Sequence, residues 1–209
     1  MEELVELREG WWWPKYDMSC FKFLSKRTQL PKLISKYCKK KRTLIQAGGN
    51  AGMYVNLYSK LFDTVYTFEP DPINFYCLTK NTGSNVIKFQ GCLGNKPTFV
   101  NLNYNEVNPK KPNCGGLAIA GQGKIPVFRI DSFEFEECDL IHLDIEGYEK
   151  FALLGAIATI EKCKPVIALE LNSLSERYDS NNEEVINLIT SIGYTHVDTI
   201  EEEYIFIKK

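Results

Sequence analysis

The stretch from Thr43 to Asp71 limits what this chain can become more than any other. Leu44 and Ile45 close a short apolar run that breaks at Gly48-Gly49-Asn50-Ala51-Gly52. Met53, Leu57 and Leu61 follow at helical spacing, and a second apolar run, Val65 to Phe68, ends in Glu69. That order predicts strand, glycine turn, helix, strand, acidic residue. Glycines let a turn approach a ligand with no Cβ in the way. The start of a helix offers free N–H groups and partial positive charge to whatever sits there. A carboxylate on the next strand tip, about 20 residues on, is placed to accept the hydroxyls of a ribose. A nucleoside-containing cofactor is therefore expected. The competing reading is a turn common to any α/β domain, with Glu69 a solvated strand end.

A dinucleotide turn needs a further glycine near the helix start, so that pyrophosphate and helix can approach closely. Tyr54 and Val55 stand there instead. Their bulk argues against pyrophosphate and for a cofactor without phosphates, S-adenosylmethionine.

Leu140, Ile141 and Leu143 form a second informative run, ending at Asp144, with Glu146, Gly147 and Glu149 in the turn beyond. Carboxylates crowded at the carboxyl end of a central strand sit where open α/β sheets do chemistry. Crowding raises at least one of their pKa values and equips it to act as a base. The alternative is that Glu146 and Glu149 only favour the next helix's positive end. Val166 to Leu169 is another buried strand, ending in Glu170 with Asn172 just beyond. Asp144, Glu146 and Glu170 are the candidate catalytic groups, with His142 a further candidate that also fits a structural role. Asp144, Glu170 and Asn172 form an oxygen-only set that suits Mg²⁺.

Around these runs the pattern predicts a helix over 72–81, a strand over 86–89 and a strand over 98–102. Gln90 to Leu93 is expected at a strand tip, with Cys92 against the base of the cofactor. Residues 103–123 are rich in Asn, Pro, Lys and Gly and read as a long substrate-facing loop or a surface insertion, with strand resuming at Ile125–Ile130. A helix over 183–192 and a closing antiparallel pair, Tyr194–Val197 with Tyr204–Ile207, complete the chain. Residues 1–42 are set apart as an aromatic-rich helical extension or cap, carrying Trp11-Trp12-Trp13 and a helix-like segment from Pro31 to Lys40; residues 43–209 form the cofactor-binding domain. The tryptophans either stack a substrate at the mouth of the site or plug the sheet.

Net charge is −2, from 25 basic and 27 acidic residues, which implies no overall attraction to nucleic acid or anionic membrane. The basic run Lys39-Lys40-Lys41-Arg42 reads as a solvated helix end rather than a phosphate contact. No apolar run is long enough to span a bilayer. Seven scattered cysteines without a C-x-x-C pair suit reduced thiols in a cytoplasm.

Taken together, Gly48-Gly-Asn-Ala-Gly52, Phe68-Glu-Pro-Asp-Pro-Ile-Asn-Phe75, Asn81, Asp139 to Glu149, Gly155-Ala156 and Lys164 to Glu170 resemble the FkbM family of S-adenosylmethionine-dependent methyltransferases. The resemblance implies a class I, Rossmann-like α/β fold: seven strands, mostly parallel, helices on both faces and a C-terminal antiparallel hairpin. It implies methyl transfer to a hydroxyl of a sugar or other small metabolite. It assigns Gly48, Gly49, Asn50 and Gly52 to the methionine part, Glu69 and Pro70 to the ribose, Cys92 to the adenine, and Asp144 to both cofactor and chemistry. Two positions depart from the family pattern: Gln46, where an acid is usual, and His142, where a lysine is usual. The alternatives are an RNA ribose or cap methyltransferase and a non-catalytic cofactor-binding module.

Overall fold

The computed structural model describes residues 1–104 and 110–208. A hairpin of β1 (Val5–Arg8) and β2 (Trp11–Pro14) opens the chain, followed by short helices α1 (Cys20–Ser25) and α2 (Leu30–Ile34). The expected Pro31–Lys40 helix is thus shorter, continuing only as a 3-10 turn over Ser35–Tyr37.

Strand β3 (Thr43–Ala47) then begins the alternation of strands and helices: α3 (Met53–Ser59), β4 (Thr64–Phe68), α4 (Pro72–Asn81) and β5 (Val86–Phe89). Asp71 caps α4, its Oδ1 accepting the backbone N–H groups of Ile73 and Asn74 at 2.9 and 2.8 Å, and Pro72 fills the first helical position. Two short strands and a long one follow, β6 (Cys92–Leu93), β7 (Thr98–Asn103) and β8 (Ala118–Phe128). They form a separate three-stranded sheet ordered β6-β8-β7. The expected loop over 103–123 is therefore corrected. Ala118 to Gly123 belong to β8, because their backbone pairs with β7, and residues 105–109 of that stretch lie outside the described residues. The chain closes with β9 (Leu140–Leu143), α5 (Glu149–Leu154), α6 (Ile157–Cys163), β10 (Val166–Glu170), α7 (Asn182–Ser191), β11 (Tyr194–Ile200) and β12 (Glu203–Lys208).

The main sheet has seven strands in the order β11-β12-β10-β9-β3-β4-β5. β5, β4, β3, β9 and β10 are parallel, and β12 runs antiparallel to β10 and to β11. Apolar side chains alternate between the two faces. Leu44, Leu140, Ala168 and Ile205 pack under α1–α4, while Ile45, Ile141, Ile167 and Phe206 pack under α5–α7. The chain walks outward from β3 to β5 and returns to β9 on β3's other side. That reversal leaves a crevice at the carboxyl ends of β3 and β9.

The N-terminal segment shares the first of these cores. Trp13 is wholly buried and meets Phe21 edge-on at 5.1 Å, and Asn81 holds the backbone of Trp12 through its N–H and its carbonyl.

Candidate functional site

Beyond β3 the backbone turns with Gly48 at φ +82°, and a Cβ there would stand 1.8 Å from the Asp144 carbonyl oxygen. Glycine at this position lets the tips of β3 and β9 touch, which brings Asp144 against the turn. Gly49 is as confined, its absent Cβ facing Leu78 and Thr67. The N–H groups of Gly48 and Gly49 both donate to Phe68 O, and that of Asn50 donates to Glu69 Oε2 at 2.7 Å. These donors are occupied within the protein, so the turn offers no phosphate cradle of the dinucleotide type. Gln46 is occupied too: its amide donates to the carbonyls of Ala47 and Gly48, and its oxygen accepts from Thr67.

A cavity of about 140 Å³ opens above these strand tips, room for on the order of ten waters. Gly48, Gly49, Asn50, Glu69, Pro70 and Cys92 line it, as do Asp144, Glu146 and Glu170. Gly52 lies outside the lining; its place is opposite the α4 backbone, where a Cβ would come within 3.0 Å of Leu78 Cα. His142 is also outside, wholly buried one residue pair below Asp144.

Glu69 closes one end. Its Oε1 accepts the Asp71 N–H at 2.8 Å, and the Asn74 side chain also bonds to this carboxylate. Burial pushes its pKa up to about 8. Beside it Asn74 is 2% exposed and its Oδ1 has no partner among the described residues.

Asp144 and Glu170 stand at the other end, hydrogen-bonded to each other. The charge of Asp144, and burial after it, push Glu170 up to about 10, so Glu170 holds the proton and donates it. Burial, then the charges of Glu203 and Glu146, raise Asp144 well above the ordinary range for an aspartate. Glu149 is part of the frame: its Oε1 accepts the N–H groups of Ile145 and Gly147 at 3.1 and 3.3 Å, clamping the turn that presents Asp144 and Glu146. Tyr54 lines the cavity with its hydroxyl buried and unpartnered among the described residues.

Of the expected Mg²⁺ set, Asp144 and Glu170 line the cavity and Asn172 does not. Asn172 turns its oxygen to the N–H of Leu174 and its amide to Glu170 Oε2, presenting a donor where a cation needs an acceptor. Among the described residues no three His, Cys, Asp or Glu side chains converge to hold a metal.

The roof carries no recognisable motif. Cys20, Phe23 and Leu24 of α1 and Asn113, Cys114, Gly115 and Leu117 before β8 complete the cavity, whereas Trp11–Trp13 stay outside it. Asp17, 3% exposed, ties these pieces together by accepting from Trp13 Nε1 and from the N–H groups of Cys20, Phe21 and Cys114. Asn74 lies within a resembling stretch and Tyr54 just beyond the glycine turn, but where their polar atoms point depends on the fold. The roof residues left no signal, because segments distant in the chain meet there.

Seven strands in this order, with the reversed β12 and a cavity over the first strand tip, define a class I methyltransferase fold. The family model described as the methyltransferase FkbM domain matches residues 46–195, and the chain belongs to that family. Among solved structures, an FkbM methyltransferase from Methylobacillus flagellatus KT is 16% identical with a TM-score of 0.50, covering 92% of this chain and 56% of its own. This chain therefore spans little more than half of that relative's length. The N-methyltransferase NodS from Bradyrhizobium japonicum WM9 is 12% identical with a TM-score of 0.53, covering 91% and 97%. Magnesium protoporphyrin IX methyltransferase from Synechocystis PCC 6803, solved with bound S-adenosylmethionine, is 8% identical with a TM-score of 0.51, covering 90% and 79%. No curated protein matches the sequence significantly.

Proposed function

We propose that this chain is an S-adenosylmethionine-dependent methyltransferase acting on a hydroxyl of a sugar or other small metabolite. The observation that carries this reading is one cavity with a ribose-ready carboxylate, Glu69, at one end and a proton-sharing pair, Asp144 and Glu170, at the other. The cofactor fits the donor set. Glu69 lines the cavity as an acceptor for ribose hydroxyls, and the orphaned Asn74 Oδ1 beside it accepts a further ligand hydrogen. Phe68, Cys92 and Leu93 supply an apolar wall for a base, and burial keeps the Cys92 thiol inert by pushing it up to about 12. The acidic end suits a cationic ligand, and the spent glycine-turn donors disfavour a dinucleotide.

Bound there, S-adenosylmethionine supplies an electrophilic methyl group. Asp144 accepts the proton of the substrate hydroxyl, since a buried carboxylate with a raised pKa is a competent base near neutral pH. Glu170, protonated, donates to Asp144 and fixes its orientation. Phe23, half exposed at the lining, offers a face for the apolar side of a sugar ring, while Glu146 faces its hydroxyls. Positioning supplies much of the rate. The choice of oxygen as acceptor rests on the Asp144–Glu170 pair, because NodS, with a similar fold, is an N-methyltransferase. The basic run before β3 lies at the opposite end of the strands from the cavity and lends no support to an RNA substrate. All seven cysteines are free thiols, which fits the cytoplasmic setting we propose; among the described residues no helix is long and apolar enough to cross a membrane.

The test is transfer of a labelled methyl group to a panel of sugars and small alcohols, with capped RNA as a comparison. Asp144→Asn is expected to lower turnover by about a hundredfold or more with cofactor affinity kept within about tenfold. Undiminished turnover would remove Asp144 from the mechanism, and transfer to capped RNA alone would replace the substrate reading.

A further inference from the structure

Behind Asp144 and Glu170, a row of buried polar side chains crosses the sheet face that α3 covers. Glu203 opens β12 directly opposite Glu170 in antiparallel register. Residues so paired project from one face with Cβ atoms about 5 Å apart, and like charges there repel. Glu203 is only 4% exposed, so water does little to screen that repulsion. Its Oε1 lies 3.2 Å from His142 Nε2, and neither that nitrogen nor Glu203 Oε2 has a hydrogen-bond partner among the described residues. His142 Nδ1 in turn lies 3.1 Å from the Tyr58 hydroxyl. Burial, and then the charge of Glu203, hold the Tyr58 phenol well above its usual range, so it stays protonated. A carboxylate oxygen left bare inside the protein costs free energy, and a neighbouring carboxyl that keeps its proton lowers that cost.

We propose that Glu203, set against His142, is a positioning residue of the site: its carboxylate keeps the Glu170 carboxyl in the hydrogen-bond-donating form that aims Asp144 into the cavity. The proposal rests on the methyl-transfer reading for its purpose, though not for its test. It also gives His142 a place, below the cavity and against Glu203. The groups facing the Asp144–Glu170 pair are Glu146 and Glu149 from the turn after β9, Glu203 from β12 and Tyr54 from α3, with Tyr58 and His142 in the layer beneath. Glu203 raises both members of the pair, and its removal has one sign only: both become more acidic.

The experiment is an NMR titration of the full chain with ¹³C-labelled aspartate and glutamate carboxyls, the pair being assigned with Asp144→Asn and Glu170→Gln. In Glu203→Gln the joint titration of Asp144 and Glu170 is expected to move to lower pH by a unit or more, a tenfold change in acidity. An unmoved titration overturns the proposal, even if the variant is less stable. Should Glu203→Gln fail to fold, Glu203→Asp draws the charge back by one methylene, and a smaller shift in the same direction is expected; no shift again overturns it. Calorimetry with S-adenosylhomocysteine separates the two readings. Wild type and both variants are expected to bind it alike, since Glu203 does not line the cavity. Failure of the wild type to bind it defeats the cofactor reading and leaves the titration to decide on Glu203.

Discussion

Replacing Gly48 by alanine attacks the contact on which the site's geometry depends. The new Cβ would lie 1.8 Å from the Asp144 carbonyl oxygen and 2.9 Å from its carbonyl carbon, both backbone atoms that no rotamer change can move aside. The tips of β3 and β9 must therefore separate by more than 1 Å, on the order of a van der Waals gap. Overpacking of this kind costs about 1–3 kcal/mol. Alanine at φ +82° adds about 1–2 kcal/mol. The sum, about 2–5 kcal/mol, corresponds to a fall in Tm of roughly 5–20 °C for a chain of this size. A shift of about 1 Å in Asp144 is also enough to cost about a hundredfold in rate. Thermal and urea denaturation measure the first effect and methyl transfer the second. Gly116→Ala is the control, because nothing lies within 4 Å of its Cβ position, and it is expected to change stability by less than about 0.5 kcal/mol. If Gly48→Ala were as stable and active as the wild type, the close approach of the strand tips would not be what builds the site.

Further outcomes follow from the same geometry. Asp17→Ala strands five N–H donors (Trp13 Nε1 and the backbones of Ser19, Cys20, Phe21 and Cys114). It is expected to destabilise by about 3 kcal/mol or more and to make residues 1–25 sensitive to limited proteolysis; wild-type resistance would refute Asp17 as the knot of the roof. The charge of Asp144, and burial after it, push Glu170 up to about 10 from about 4.5, so its contribution to stability is present below the lower value and is lost as pH rises toward the higher. Glu170→Gln is accordingly expected to gain in Tm relative to wild type between pH 5 and pH 9. A constant difference across that range would contradict the raised pKa.

Much of the scaffold was legible because local signals and fold agree. The strands ending at Ala47, Phe68, Leu143 and Glu170 are apolar runs stopped by glycine or acid, and the Asp71-Pro72 pair marks the start of α4 without tertiary help. The family resemblance, the seven-stranded fold and the closing hairpin stand. Residues 103–123 misled for a physical reason. Asn, Gly and Lys dominate there, yet Ala118 to Gly123 extend β8 because β7 offers them a backbone partner, which composition does not reveal. For the Mg²⁺ set, spacing brings Asn172 near Glu170 without deciding which of its atoms faces inward. The Trp11–Trp13 cluster, the most conspicuous aromatics in the chain, contributes packing and a hairpin strand, whereas the cavity roof comes from unremarkable neighbours, Cys20 and Phe23. Sequence registers what a residue prefers locally; which distant segments close over a cavity depends on the assembled sheet.

The central claim is that Glu69 and Asp144 bracket an adenosyl sulfonium ligand. Isothermal titration calorimetry with S-adenosylhomocysteine tests it most directly, comparing wild type with Glu69→Ala. The account predicts one site per chain, weakened at least tenfold by the substitution, since a buried hydrogen-bonding carboxylate is lost from the ribose. No binding by the wild type, or unchanged affinity in Glu69→Ala, would contradict it.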